Sequence, residues 1–121
     1  MYGDMGSAAG LVGVAGDLPK DGDVRGLVEQ GVAHVFGFNL VEALRNFETA
    51  AALAPECALC HWGVAASFAP NINYYVENQT RLNAAATRAL ELADAQRGSL
   101  SDKTQHLIRA FALLVAPADN Q

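Results

Sequence analysis

Apolar residues recur at steps of three and four along most of the chain, and those steps divide it into five helices. From Val24 the run Leu27, Val28, Gly31, Val32, Val35 and Phe36 predicts an amphipathic helix over 24–36, which Gly37 ends in the left-handed conformation. Asn39, with Glu42 three residues later, has the form of a capping box. It opens a second helix over 40–54 with Leu40, Ala43, Leu44, Phe47, Ala50, Ala51 and Leu53 on its buried side. The link between these two is so short that they must form a tight antiparallel hairpin. Pro55 suits the first turn of a third helix over 55–69, which carries Leu59, Trp62, Val64, Ala65 and Phe68 and stops at Pro70. After a loop at 71–75, Leu82, Ala85, Ala86, Ala89, Leu92 and Ala93 predict a fourth helix over 77–97, closed by Gly98. Ser101 can cap a fifth, which runs through Leu107, Ile108, Phe111, Leu114 and Val115 to Pro117. No sustained period holds over residues 1–23, where six glycines and four aspartates read as a flexible leader; 24–116 is then the helical domain and 117–121 a tail.

Composition sharpens the fold class. Of 121 residues, 51% are hydrophobic, but 23 of these are Ala and 14 Leu, against ten Val and two Ile. Ala-rich, β-branch-poor composition favours helix, so the fold is expected to be all-α, with a core that works through close helix approach more than through buried area. The formal net charge is −5, and residues 1–60 hold eight acids and three bases whereas 61–121 hold five of each. With two Lys and no basic cluster, a phosphate-neutralising surface is not expected, so nucleic acid is excluded as a partner. No apolar run approaches a membrane span. The apolar stretch 8–15 is short, broken by glycines and preceded by Asp4 without Lys or Arg, so it is no signal peptide, which favours a cytoplasmic location.

The helix pairs repeat. Gly31 and His34 correspond to Ala65 and Phe68 at a shift of 34, while Ala50 and Leu53 correspond to Ala89 and Leu92 at a shift of 39, the extra length falling in 71–78. Helix pairs repeating at this period are the mark of a helical solenoid. Leu27, Gly31, Ala43, Phe47, Ala50 and Pro55 stand at the spacing of the tetratricopeptide repeat, with His34 where that motif usually has an aromatic, and the chain resembles that family over about 24–116. The stretch from Gly31 to Asn73, with its Pro-x-Cys-Ala-x, Trp-Gly and Pro-Asn-Ile-Asn segments, is similar to a bacterial and algal branch of it, from which Ala54, Leu59 and Ala69 depart conservatively.

The resemblance implies an interaction scaffold that is not an enzyme and carries no catalytic residue. Leu27, Gly31, Ala43, Phe47, Ala50, Pro55, Ala65, Phe68 and Ala89 would pack the repeats. Arg25, Val28, Val32, Val35 and Phe36, joined by Leu59, Trp62 and Ala66, would line the concave face. That groove is apolar, so a clamp for an acidic peptide terminus is not expected. The partner would be an apolar or amphipathic peptide segment anchored by Trp62 and Phe36, or further repeats of a longer chain.

Cys57-Ala58-Leu59-Cys60-His61 carries the sharpest chemical signal, since it fits the C-x-x-C-H attachment site of c-type haem and uses both cysteines of the chain. Two thiols at i and i+3 suit thioethers to a porphyrin, and the adjacent imidazole suits an axial bond to iron. The main expectation is packing, with no cofactor and no metal, because Cys is often buried as a small hydrophobe. Haem c through Cys57, Cys60 and His61 is the alternative. A redox dithiol at a helix N-terminus, and a zinc site completed by His34 or His106, are further options.

Overall fold

A computed structural model describes residues 15–37, 39–68 and 76–115. The 1–14 part of the expected leader, the Pro70 stop, the 71–75 loop and the 117–121 tail lie outside the described residues. Among the described residues every regular element is helical: a 3-10 turn (Ala15–Asp17), then α1 (Gly22–Phe36), α2 (Leu40–Leu53), α3 (Ala58–Phe68), α4 (Val76–Ala95) and α5 (Asp102–Val115). The expected all-α fold of about five helices is the observed one.

Local chemistry sets the helix ends, and not always as the sequence suggests. Asp21 caps α1, its Oδ1 accepting the amide protons of Asp23 and Val24 at 2.8 and 3.4 Å. Gly37 closes α1 at φ −87°, on the right-handed side, so the expected left-handed cap is absent. Instead its N–H returns to the Ala33 carbonyl and that of Asn39 to the His34 carbonyl. Asn39 sits at the N-cap of α2, but its side chain makes no capping bond, so the expected capping box does not form. Pro55 does not open α3. It lies in the turn after α2, and α3 starts three residues later at Ala58. At α5 the expectation holds, because Ser101 Oγ accepts the Thr104 amide at 3.3 Å.

Each helix packs on its chain neighbours, and the odd-numbered helices also pack on one another, α1 on α3 and α3 on α5. The α1–α2 hairpin is as tight as expected. A Cβ at Gly31 would lie 2.7 Å from the Phe47 ring, and one at Gly63 would overlap the same ring from α3. Phe47 is therefore wedged, fully buried, between two glycines on successive odd helices. Trp62 meets its edge in a T-shaped contact with centroids 6.3 Å apart. Two apolar clusters result. One joins α1 to α4 around Phe47; the other joins α3, α4 and α5 around Ala58, Leu92, Ala93 and Ile108; Trp62 borders both.

Residues 15–20, expected to belong to a flexible leader, are docked on the helices. Leu18 is buried in the first cluster. The Asp17 carboxylate accepts from the Ser101 amide at 3.1 Å, from Ser101 Oγ at 2.7 Å and from the buried Thr104 hydroxyl. A carboxylate at a helix N-terminus is favoured there by unpaired amides and the helix dipole. The segment thus forms a strap from the start of α1 to the start of α5.

Candidate functional site

Val28, Val32 and Leu59, three of the eight expected groove residues, are interior. The buried face of α1 is Val24, Val28, Gly31 and Val32, with Leu27 and Val35 packed at its margin, so the side expected to line the groove is turned to the core together with Gly31. These positions therefore pack the core and do not line a groove open to solvent. Phe36 does reach solvent, 52% exposed at the end of α1, and Val41, on the first turn of α2, is 69% exposed. Trp62 is half-buried against Phe47, and its Nε1 has no hydrogen-bond partner among the described residues; the same is true of Asn46 Nδ2 and Asn83 Oδ1, two buried amide atoms that sequence reasoning did not single out.

The expected packing residues fare better. Ala43, Phe47, Ala50, Ala65, Phe68 and Ala89 are buried, Leu27 is packed against the core at its margin, and Gly31 meets Phe47. Pro55 is exposed in its turn. The Arg81 guanidinium of α4 lies 4.8 Å over the Phe68 ring of α3 while it pairs with Glu48 of α2, a polar link between α4 and α2.

Cys57 and Cys60 form a disulfide, their Cα atoms 5.2 Å apart. Cys57 immediately precedes α3, where its carbonyl accepts the amides of Cys60 and His61 and its Sγ accepts the Cys60 amide at 3.1 Å. A sulfur thus stands where a Ser or Asp oxygen often caps a helix. Cys60, on the first turn, is wholly buried in the core. His61 turns back across the turn, and its Nε2–H donates to the Pro55 carbonyl at 3.0 Å.

This geometry does not fit haem c. Each sulfur is bonded to the other instead of being open to a thioether, Cys60 faces packed side chains, and the His61 nitrogen that would meet iron is spent on a backbone carbonyl. Nor does it gather zinc ligands: among the described residues no group of three His, Cys, Asp or Glu side chains is placed to hold a metal.

Beside Cys57 lies an open cavity of about 620 Å³, bounded by the strap (Asp17, Leu18), by the α2–α3 turn (Pro55, Glu56, Cys57) and by Gln96 after α4. The Gln96 side-chain amide donates to the Glu56 carbonyl at 2.9 Å, tying that turn to the one before α5. Sequence reasoning found the two cysteines but missed the cavity, because its walls come from three segments far apart in the chain. No protein-family model, no curated protein and no solved structure matches the chain.

Proposed function

We propose that the chain is a helical-repeat interaction module of the tetratricopeptide type, which binds an apolar or amphipathic peptide segment or stacks on further repeats. The observation that carries this reading is the packing order: odd helices contact one another as well as their chain neighbours, with Phe47 wedged between Gly31 and Gly63 at the joint. That is what stacked helix pairs require, because each pair can bury its apolar face only against the next. Among the described residues, the large apolar side chains left exposed for a partner are Phe36 and Val41, on either side of the α1–α2 turn, and Leu53 at the end of α2. The excess of acids in residues 1–60 favours a segment with Lys or Arg on its polar face.

The test is fluorescence anisotropy against a panel of labelled amphipathic peptides that share one apolar face and carry either basic or acidic polar faces. Basic members are expected to bind, and Phe36→Ser to weaken them about 10-fold or more, as for an exposed aromatic anchor. Its helicity and melting temperature should stay unchanged, because Phe36 is outside the core. Absence of binding, or binding indifferent to both Phe36→Ser and Val41→Ser, would remove this assignment.

A further inference from the structure

We propose that Cys57 and Cys60 are a reversible thiol–disulfide exchange couple, with Cys57 the sulfur that meets the external thiolate, supplied by a small thiol held in the adjoining cavity. Four observations converge. The spacing places one sulfur at the N-cap of α3 and the other on its first turn, where helix amides favour a thiolate held at the end. Cys60's amide already points at Cys57 Sγ, so the group that would stabilise the departing Cys57 thiolate is in place before any reaction. The two cysteines differ in access: residue Cys57 keeps 7% of its surface and lines the cavity, whereas residue Cys60 keeps none. Finally, the disulfide spans a sequence separation of only three. So short a loop constrains the unfolded chain least, which makes stability alone a weak reason for the bond.

The exchange balances as follows. The external thiolate attacks Cys57 Sγ, forming a mixed disulfide; the Cys57–Cys60 bond breaks and its electron pair leaves on Cys60 Sγ. Buried among apolar side chains, that sulfur takes up a proton and becomes a thiol. A second external thiolate attacks the small-molecule sulfur of the mixed disulfide and releases Cys57 as a thiolate. Two small thiols are thereby oxidised to one small disulfide, and the protein disulfide is reduced to a dithiol. The cavity rim favours a neutral or cationic thiol over an anionic one, because Glu56 stands exposed beside Cys57.

The experiment uses 2-hydroxyethyl disulfide, a small neutral probe, on the reduced Cys60→Ala and Cys57→Ala variants, read by mass spectrometry with circular dichroism in parallel. Cys60→Ala is expected to be modified at Cys57 about 100-fold faster than Cys57→Ala is at Cys60, since a fully buried thiol reacts only through local opening. Comparable rates in the two variants, or reaction only in denaturant, would overturn the proposal. Because either variant can lose its fold, the wild-type protein supplies a second readout. Under native conditions it is reduced with 2-mercaptoethanol and pulsed with substoichiometric N-ethylmaleimide. Label on Cys57 first, with the disulfide re-formed in unlabelled chains on adding 2-hydroxyethyl disulfide, supports the couple. Label on Cys60 first, or a disulfide that resists reduction until the helices unfold, refutes it.

Discussion

Phe47 shows how a few atoms decide the packing of three helices. Its ring occupies the space that a side chain at Gly31 or Gly63 would need, so both glycines serve close approach. Gly63→Ala is expected to destabilise the protein by about 1–3 kcal/mol through overpacking, outweighing a gain in helix propensity of up to about 1 kcal/mol. Gly31→Ala should cost less, since its contact with the ring is looser. In a Phe47→Leu background the cost of Gly63→Ala should shrink, and a urea-denaturation cycle measures that coupling directly. Strict additivity would mean that the ring and the glycine do not share the space. Gly31, Phe47 and the alanines were legible as packing residues from their spacing. Their pairing with Gly63 was not, because a one-dimensional pattern does not say which ring fills which gap.

At the scale of elements, apolar periodicity located all five helices to within a few residues, and the misreadings cluster at their ends and in their rotation. Leu27 and Val28 are equally plausible as inward residues of α1, so the sequence pattern leaves the phase open; packing of Val24, Val28 and Val32 on the core settles it. The polar clamp between α4 and α5 left no mark in the sequence pattern. Asp94 of α4 accepts from Arg109 of α5 at 2.6 Å and from Arg97 at 3.0 Å, while the Gln105 side chain donates to the Ala93 carbonyl at 2.7 Å. The Arg109 hydrogen bond, opposed by desolvation and helped by the charges of Arg109 and Arg97, holds the Asp94 carboxyl below its ordinary value of 3.8. The folded state therefore prefers the carboxylate. Its contribution is complete above the unfolded value and is lost as pH falls through the lower folded one. The difference in melting temperature between wild type and Asp94→Asn should accordingly be constant from neutral pH down to about 5, shrink below that, and vanish only under stronger acid. A difference that already declines near neutrality would point to a histidine instead.

Across the whole molecule, the helices form two apolar clusters in series instead of one central core, and the strap at residues 15–20 joins their ends. That strap escaped sequence reading because it depends on bonds between Asp17 and residues 84 and 87 positions away. A solenoid-like arrangement predicts stability that varies along the chain, with each helix pair held by its neighbours. Asp17→Ala removes three hydrogen bonds from the start of α5, a loss of about 1–3 kcal/mol. Native-state hydrogen exchange on wild type and Asp17→Ala reads where that loss falls. Modular stacking predicts weaker protection confined to α5 and the 96–101 turn, with the amides around Phe47 in α2 and α3 unchanged. An equal fall in protection across all five helices would show a single cooperative core and contradict the repeat reading.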